Sequence, residues 1–447
     1  MTYFFETYGC QMNKAESSSL EQLLIERGWT LAEEGEQNAD LIIINTCSVR
    51  ATAETRIHGR LGFFTSLRKE RRKQGRDFTL VVTGCMAERL KEELQKQFPV
   101  VDYVVGTFQK AHFNDIIDAV AQKRKLTKID EDPVYEFAAL SYEKGSFKAY
   151  LPIMHGCNNF CTYCIVPYVR GREVSRSPKA ILDELDLLNK RGVKEVTLLG
   201  QNVNSYIWKN PQDQNASLDF PGLMQLIADH LRDTSSSIGW VRFLSSHPKD
   251  LSDRLIEVIA KEDVICKHIH LPVQHGSTEI LKAMNRRYSR EDYLALVARI
   301  RKRIPDVSLT TDVMLGFPGE TEEDFEDTVS LMKEVGYETA FMYYYNPREG
   351  TKAAEMQNQI PLEVKKERLA KIIDLQQEIT KSQMKKRLGS KVKVLVESVS
   401  RDDPEWLLAR TQQDECVVFK AEQNLIGNFV TCELNELTGN TFRGKLL

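Results

Sequence analysis

Short apolar runs alternate with amphipathic segments over the first 125 residues of this 447-residue chain. Each apolar run predicts a strand, and apolar residues at helical spacing follow it. The strands are expected at residues 3–8, 41–45, 80–83 and 102–105, and the helices at 14–27, 51–73, 86–98 and 114–122. This alternation of β and α elements is typical of a doubly wound parallel sheet.

After a weakly patterned stretch, the same alternation resumes in the middle of the chain. Six strands are expected at residues 150–154, 195–199, 240–245, 268–273, 308–315 and 340–345. The helices between them are expected at 178–191, 222–232, 251–261, 277–284, 290–303 and 322–335. Six parallel strands with crossover helices predict a partial TIM-like (β/α)6 barrel, whose active site would lie at the carboxyl ends of the strands.

The last 60 residues change to short segments in which apolar and polar positions alternate. Strands are expected at residues 392–396, 406–410, 416–419, 429–433 and 441–446. They predict a small antiparallel β-barrel, an architecture that often binds oligonucleotides. The expected domains are therefore an N-terminal sheet domain, a linker, the partial barrel, and the small barrel with a preceding basic helix, at residues 1–125, 126–148, 149–375 and 376–447.

Composition and charge narrow the class of protein. Hydrophobic residues make up 42% and charged residues 28% of the chain, and no apolar run approaches the roughly 18–20 residues that span a bilayer. The number of cysteines, nine, is odd, and the spacing among them is typical of ligands and not of disulfide pairs, which favours a reducing compartment. We therefore expect a cytoplasmic protein with no secretory signal and no membrane association.

Two segments are strongly basic although the chain has a net charge of −3. Residues 365–393 carry ten Lys or Arg against three Asp or Glu, and residues 66–76 carry six against one. Such runs are often solvated helix faces, but two of them on this chain also suggest a surface for a polyanion.

Three cysteines lie close together at Cys157, Cys161 and Cys164. Three thiolates can bind three irons of a [4Fe–4S] cluster, which usually takes four cysteine ligands. The fourth iron would then be open, and in metal sites an open position is typical of catalysis. A zinc knuckle is the alternative, but no His or further Cys follows at a zinc-ligand spacing.

Three further cysteines each follow a predicted strand of the N-terminal domain: Cys10, Cys47 and Cys85. Because the carboxyl ends of parallel strands lie along one edge of a sheet, we expect these thiols to converge. Any one of them alone would more often be a buried packing residue. Three at the same position relative to their strands predict a second cluster site. The remaining cysteines, Cys266, Cys416 and Cys432, are interpreted as packing residues.

At the Cys157 loop the chain resembles the radical S-adenosylmethionine (SAM) enzymes. With the N-terminal cysteines and a C-terminal barrel similar to a TRAM domain, it resembles the radical SAM methylthiotransferases over essentially its whole length. The strings around the first three cysteines are similar to those of family members that act on isopentenyl-adenosine in tRNA. They are Tyr8-Gly9-Cys10-Gln11-Met12-Asn13, Asn45-Thr46-Cys47-Ser48-Val49-Arg50 and Gly84-Cys85-Met86-Ala87-Glu88-Arg89.

The resemblance implies two [4Fe–4S] clusters and SAM. The auxiliary cluster would be bound by Cys10, Cys47 and Cys85, and the radical SAM cluster by Cys157, Cys161 and Cys164. The implied reaction inserts a methylthio group at carbon 2 of isopentenyl-adenosine, next to the anticodon on its 3′ side. In the family account, one SAM methylates sulfur at the auxiliary cluster, and a second SAM, cleaved at the other cluster, gives the radical that activates the adenine.

By the same resemblance, Tyr163 would lie near the adenine of SAM. The other candidates to line the SAM pocket are Gln201, Ser245, Gln274 and Gly316, each at a strand end, where a structural turn role is equally compatible. His247 and His275 are expected to position other groups, since hydrogen abstraction by a radical needs no base.

The implied partners are a tRNA anticodon stem-loop that carries isopentenyl-adenosine and a low-potential electron donor such as flavodoxin or ferredoxin. Three alternatives remain open. The same chemistry could act on threonylcarbamoyl-adenosine in tRNA or on an aspartate of a ribosomal protein, or the chain could be a non-enzymatic iron–sulfur sensor that binds RNA.

Overall fold

The computed structural model describes residues 1–48, 51–124, 126, 129 and 135–447, with the backbone alone for residues 51–54 and 214. Part of the predicted linker, residues 127–128 and 130–134, lies outside the described residues. The strands are β1 Thr2–Thr7, β2 Thr30–Leu31, β3 Leu41–Thr46, β4 Thr79–Gly84, β5 Tyr103–Val105, β6 Lys148–Pro152, β7 Met154–His155, β8 Val174–Ser175, β9 Glu195–Leu199, β10 Ile207–Asn210, β11 Asp213–Asp219, β12 Trp240–Phe243, β13 His268–His270, β14 Ser308–Leu315, β15 Thr339–Tyr344, β16 Lys391–Val399, β17 Trp406–Thr411, β18 Cys416–Lys420, β19 Phe429–Thr438 and β20 Thr441–Leu446.

The α-helices are α1 Gln11–Glu26, α2 Ala51–Lys73, α3 Cys85–Leu90, α4 Glu92–Gln97, α5 Phe113–Ala121, α6 Val166–Arg170, α7 Pro178–Lys190, α8 Phe220–Asp233, α9 Asp253–Lys261, α10 Thr278–Ala283, α11 Arg290–Arg303, α12 Glu322–Val335, α13 Lys352–Glu355 and α14 Leu362–Lys385. The elements form two compact units. The first comprises Met1–Asn158, Ile165–Lys190 and Leu198–Gln201, and the second Asn159–Cys164, Arg191–Thr197 and Asn202–Leu447.

The first unit is built on a five-stranded parallel sheet in the order β2-β1-β3-β4-β5. Alternate residues of the central strand β3 enter two different apolar clusters, and all six of its residues are buried. Ile42 packs with Phe64 of α2, and Ile43 packs with Leu24 of α1. Helices cover both faces of the sheet, which confirms the predicted doubly wound domain.

One predicted helix of this domain, residues 86–98, is in fact two. Helices α3 and α4 are separated by Lys91, whose φ of 45° lies in the left-handed region and ends the first helix. The apolar periodicity continues across the break, so the pattern alone did not reveal it. The two-residue strand β2 was also not expected, because it is too short to show a period.

The six strands expected in the middle of the chain are all present as β6, β9, β12, β13, β14 and β15. In the second unit, β13, β14 and β15 form a parallel sheet, with Asp312 beside Phe341 in its register. Helix α12 begins with the capping box of Thr321 and Asp324, as its sequence indicates. An antiparallel hairpin of β10 and β11 was not expected between these elements.

The C-terminal segment forms a closed barrel in the order β16-β17-β18-β20-β19. Its centre is filled by apolar side chains such as Val394, Phe419 and Phe442. Four pairings are antiparallel as predicted, but β18 and β20 pair in parallel. Within the second unit, Arg242 of β12 donates to the barrel carbonyls of Thr411 (2.7 Å) and Gln412 (2.8 Å).

The predicted fold class is therefore confirmed, with parallel sheets and a small barrel at the C-terminus. Within the described ranges, the helices that are long enough to cross a bilayer are too polar to do so.

Candidate active site

The first three cysteines lie at the carboxyl ends of three adjacent strands. Cys10 follows β1, Cys47 follows β3 and Cys85 follows β4. Gly84 allows the last two to approach, because its φ is +96° and a Cβ there would lie 2.3 Å from the Thr46 carbonyl oxygen. The predicted convergence of these residues at one sheet edge is thus present in the fold.

Asn13 of α1 connects the first two strand ends and is fully buried. Its Oδ1 accepts a hydrogen bond from the Cys10 thiol at 3.2 Å. Its Nδ2 donates to Asn45 Oδ1 at 2.9 Å and to the Thr46 carbonyl at 3.0 Å. The Asn45 amide donates back to the Asn13 carbonyl at 3.0 Å. These bonds fix the backbone just before Cys47 relative to Cys10.

The three thiols differ in their surroundings. Cys10 is exposed, whereas Cys47 and Cys85 are buried. A hydrogen bond with the Cys47 side chain is the main cause that lowers the pKa of Cys10 to about 5, so the thiolate form that binds metals is favoured there. Burial raises the pKa of Cys85, and the charge of Arg170 opposes that effect.

Arg170, at the end of α6, is directed at the sulfur of Cys85. Its Nε donates to Cys85 Sγ at 3.2 Å, and its Nη1 pairs with the Glu16 carboxylate at 2.9 Å. Lys110 lies 2.7 Å from the other oxygen of Glu16. Burial raises the pKa of Glu16, but Arg170 and Lys110 outweigh it and bring that pKa well below its usual value. The sequence alone did not indicate this buried charge cluster, since its members are far apart in the chain.

Helix α6 begins two residues after Cys164, and its apolar side also contacts Cys85. Ile165 and Val169 form a small buried cluster with that cysteine. The Thr107 hydroxyl donates to the Val169 carbonyl at 2.7 Å. The segment directly downstream of the second cysteine loop is therefore packed on the first cysteine site.

The beginning of the second cysteine loop belongs to the first unit. The Cys157 amide donates to the Gly171 carbonyl at 3.1 Å, and Gly156 donates to Gln201 Oε1 at 2.6 Å. Gln201, a candidate for the SAM pocket, therefore supports the backbone that enters the loop.

The rest of this loop belongs to the second unit. Asn285 Nδ2 donates to the Phe160 carbonyl at 3.0 Å, and the Thr162 amide donates to the Met284 carbonyl at 3.1 Å. Arg286, which is buried, approaches Cys161 Sγ with its Nη1 at 3.5 Å. The segment that follows α10 thus holds both the backbone and one sulfur of the loop.

Three other SAM-pocket candidates share an unusual backbone conformation. Ser245, Gln274 and Gly316 have φ values of 69°, 71° and 67°. Positive φ is uncommon for residues other than glycine, and such strained positions cluster at functional sites. Tyr163 is partly buried and packs in a cluster with Met314.

Glu320 and His275 form a buried network beside Gly316 that sequence analysis did not connect. Glu320 Oε2 accepts from the Gly316 amide at 2.7 Å and lies 3.1 Å from His275 Nε2. Arg368 donates to the other Glu320 oxygen at 2.7 Å. His275 is fully buried and accepts from the Ser277 amide at 3.0 Å, which fits the positioning role expected for it.

His247 has a similar position in the second unit. It is buried, and its Nδ1 accepts from the Lys249 amide at 3.3 Å. Burial and the nearby Arg286 lower the pKa of His247 to about 2. The imidazole is therefore neutral at physiological pH.

Both triads offer thiol sulfur alone as donor atoms, with a buried arginine directed at one sulfur of each. In a [4Fe–4S] cluster every thiolate binds a different iron, so the sulfurs stand further apart than the ligands of one ion. Within the described residues, no three His, Cys, Asp or Glu side chains are grouped around a single metal ion. By donor chemistry, the residues present fit iron–sulfur clusters.

The remaining cysteines differ from these six. Cys266 and Cys432 are buried, and burial raises the pKa of each to about 12. None of the nine cysteines, all of which the structure describes, forms a disulfide.

Three family models match successive parts of the chain. Residues 2–106 match a family described as uncharacterized protein family UPF0004, residues 151–332 match the radical SAM superfamily, and residues 385–447 match the TRAM domain.

Among solved structures, the chain is similar to the radical S-adenosylmethionine methyltransferase TsrM from Kitasatospora setae, with a TM-score of 0.61 and 14% identity over 79% of this chain and 77% of that one. It is also similar to the cobalamin-dependent S-adenosylmethionine radical enzyme OxsB, with a TM-score of 0.53 and 11% identity over 84% and 56%. At these identities the likeness establishes the fold alone.

Curated relatives match over the full length. Proteins named tRNA-2-methylthio-N(6)-dimethylallyladenosine synthase are 54% identical in Treponema denticola, over 100% of both chains, and 46% identical in Desulfitobacterium hafniense, over 98% of this chain and 96% of that one. The namesake from Clostridium botulinum is 44% identical over 99% and 96%. This chain belongs to the family of tRNA-2-methylthio-N(6)-dimethylallyladenosine synthases.

Proposed function

We propose that this protein is a radical SAM methylthiotransferase that converts isopentenyl-adenosine, next to the anticodon of tRNA, into its 2-methylthio derivative. The observation that carries the proposal is the gathering of Cys10, Cys47 and Cys85 at adjacent strand ends, with the helix that follows the Cys157 loop packed on Cys85. A carbon–hydrogen bond of adenine is not acidic enough for a side-chain base, so the cofactors must supply the chemistry.

We assign the two triads as cluster ligands: Cys10, Cys47 and Cys85 for an auxiliary [4Fe–4S] cluster, and Cys157, Cys161 and Cys164 for the radical SAM cluster. When bound, the cofactors supply radical cleavage of SAM and a sulfur to transfer. The sheet domain, linker, partial barrel and C-terminal barrel are proposed at residues 1–125, 126–148, 149–375 and 376–447.

The chain's own residues would bind the cofactors and orient them. Asn13 holds the strand ends that carry Cys10 and Cys47, and Gln201 supports the backbone that leads to Cys157. In the SAM pocket we propose Tyr163 near the adenine, with Gln201, Ser245, Gln274 and Gly316 as further lining residues. The positive φ of Ser245 and Gln274, which is uncommon for residues other than glycine, supports this assignment.

A tRNA surface is proposed where α14 meets the C-terminal barrel. Exposed lysines cluster there: Lys381, Lys385, Lys386, Lys391 and Lys393. The earlier basic segment, residues 66–76, is a weaker candidate. Arg68 is buried against Asp102, and Arg71 donates to the Ala39 carbonyl at 2.6 Å, so two of its six cations stabilise the fold.

The double substitution Lys385→Glu with Lys386→Glu tests this surface. Because each phosphate contact releases counterions, we expect weaker tRNA binding and a log–log salt slope that is smaller in magnitude by at least about 1. The matched control is Lys179→Glu on α7, where the lysine side chain is 84% exposed. An unchanged salt slope for the double variant would show that this end of α14 is an ordinary solvated helix face that does not contact tRNA.

The function itself is tested by mass spectrometry of anticodon-loop nucleosides from a deletion strain. We expect the isopentenyl nucleoside to accumulate without its methylthio group, and the intact gene to restore it. If the methylthio group persists in that strain, the proposed substrate is wrong. If threonylcarbamoyl-adenosine or a ribosomal-protein aspartate loses its methylthio group instead, the same chemistry has another target.

Anaerobic reduction of the purified protein with SAM separates an enzyme from a non-enzymatic RNA-binding sensor. The enzyme releases 5′-deoxyadenosine, and the sensor does not. We further propose that a low-potential donor such as flavodoxin or ferredoxin supplies the electron, and that the protein works with its tRNA substrate in the cytoplasm.

A further inference from the structure

The sheet of β13, β14 and β15 has two very different faces. On one face the side chains of Leu309, Val313 and Leu315 are fully buried. Residues at the alternate positions lie on the other face, where Asp312 is half-buried and Phe341 is 49% exposed. Tyr343, two residues beyond Phe341 and therefore on the same face, is 46% exposed, so this face presents two neighbouring open aromatic side chains beside a carboxylate.

His270, Asp312 and Phe341 form a compact group on this second face. His270 Nε2 lies 3.6 Å from the Asp312 carboxylate, too far for a hydrogen bond. Its Nδ1 is 3.0 Å from Thr310 Oγ1. The rings of His270 and Phe341 meet edge to face, with centroids 5.8 Å apart. The group therefore combines an open aromatic surface with a polar donor and acceptor.

The same face continues toward the cysteine loop. Met314 lies two residues beyond Asp312 on β14 and packs in one apolar cluster with Tyr163. Tyr163 is the residue that we expect near the adenine of SAM. The aromatic group is thus continuous, within the second unit, with the part of the loop that carries Cys161 and Cys164.

We propose that this face binds the unstacked adenine of the substrate nucleoside, with Phe341 as the stacking platform and Asp312 and His270 at the edge of the base. An enzyme that acts on a base must take it out of its stack, and aromatic side chains receive such bases. The N6–H of the prenylated adenine can donate to the Asp312 carboxylate, and a ring nitrogen can accept from His270.

The size and chemistry of the face favour a single base over a protein partner. The rings of Phe341 and Tyr343 with one polar pair cover far less than the roughly 800 Å² per partner of a specific protein interface. Met314, two residues from Asp312 on β14, packs in the same apolar cluster as Tyr163, and this link favours a base that lies toward the expected SAM. This inference rests on the proposed function, since it assigns the substrate's position in that same active site.

The test uses full-length protein with its clusters assembled and anticodon stem-loop RNA that carries either isopentenyl-adenosine or adenosine. Fluorescence anisotropy gives the dissociation constants of Phe341→Ala, Phe341→Tyr and wild type. Loss of stacking on one base should weaken binding of the prenylated RNA by about 5- to 150-fold in Phe341→Ala. Phe341→Tyr should retain the wild-type constant, because it keeps the ring.

Tyr344→Ala is the matched control, since Tyr344 is an exposed aromatic residue on the same strand but at the alternate position. It should bind like wild type. Asp312→Asn, which keeps the shape of the side chain, should weaken binding of both the prenylated and the unmodified RNA, because both adenines carry an N6–H that can donate to the carboxylate. Unchanged binding of prenylated RNA by both Phe341→Ala and Asp312→Asn would overturn the inference.

An assay for the methylthio product distinguishes a failure of the proposed base site from a failure of the proposed function. If wild-type enzyme forms the product but Phe341→Ala and Asp312→Asn both bind the RNA as wild type does, the base site is wrong and the function stands. If wild-type enzyme forms no product on prenylated RNA, the proposed function fails.

Discussion

The two cysteine sites each have a buried arginine directed at one sulfur, but the two arginines are held in different ways. Arg170 donates to Cys85 at 3.2 Å and is paired with the buried carboxylate of Glu16. Arg286 approaches Cys161 at 3.5 Å, and its other donors meet neutral oxygens: the Tyr288 hydroxyl at 3.0 Å and the Pro272 carbonyl at 2.8 Å.

The difference lies in the local charge. At the first site one carboxylate faces two cations, Arg170 and Lys110. At the second site Arg286 is the cation, and the nearby His247 is neutral because its pKa is lowered to about 2. An arginine that pairs with a buried carboxylate is strongly held, and removal of that carboxylate is costly. An arginine that donates to neutral oxygens loses less free energy when one of those oxygens is removed.

The largest effect is expected from removing a ligand at either site. Cys161→Ala should abolish release of 5′-deoxyadenosine from SAM, because the proposed radical SAM cluster loses a ligand. Cys47→Ala should leave that release intact and abolish formation of the methylthio nucleoside. Nucleoside mass spectrometry and quantification of 5′-deoxyadenosine check both. Sulfur insertion by Cys47→Ala would remove the N-terminal cysteines from the mechanism.

The next largest effect compares how much the partner of Arg170 and the partner of Arg286 each contribute to the free energy of unfolding. Glu16→Gln leaves Arg170 and Lys110 buried without their carboxylate, so it should lower the free energy of unfolding by about 3–5 kcal/mol. Tyr288→Phe removes a hydroxyl that accepts from Arg286 at 3.0 Å and donates to the Val273 carbonyl at 2.8 Å, and it should cost about 2 kcal/mol. Urea unfolding followed by circular dichroism measures both. Glu363→Gln, at an exposed carboxylate, is the control that should change little. Equal costs of Glu16→Gln and Tyr288→Phe would contradict the distinction.

A subtler effect concerns the reduction potentials of clusters bound at the two sites. Hydrogen bonds and positive charge near the sulfurs favour the reduced state. Arg170→Gln should therefore make the potential of the auxiliary cluster more negative, and Arg286→Gln should do so for the radical SAM cluster. Potentiometric titration followed by electron paramagnetic resonance distinguishes them. If Arg170→Gln and Arg286→Gln leave both reduction potentials unchanged, the two arginines do not act on the cluster sulfurs.

The smallest effect is on pH dependence. The pKa of Glu16 is lowered in the folded state, so its ionised form stabilises the protein at every pH above the unfolded value of about 4.3. The stability difference between wild type and Glu16→Gln should be constant from about pH 6 to 8 and should shrink as the pH falls below about 4.3 toward the folded pKa. The difference for Tyr288→Phe should stay flat over the same range, which urea titrations at several pH values would show.

The amino-acid pattern determined much of the architecture. Apolar runs located β9 and β14 at their observed ends, and helical spacing located α11 and α12, which are long and begin with clear caps. The cysteines at the strand ends followed from one topological fact, that parallel strands end at the same edge. Short or interrupted elements, such as β2 and the break at Lys91, had no period to reveal them.

What only the tertiary structure decided are the pairings between residues distant in sequence. The contact of Arg170 with Cys85 joins positions 85 residues apart, and its ion pair with Glu16 joins positions 154 apart. Likewise Arg68 and Arg71 belong to a basic segment by composition but are buried by their bonds to the sheet domain. A local pattern records which face of an element is apolar. Which partner a buried charge has depends on how the elements pack. Burial of a charge is costly unless a counter-charge or a hydrogen-bond partner lies beside it.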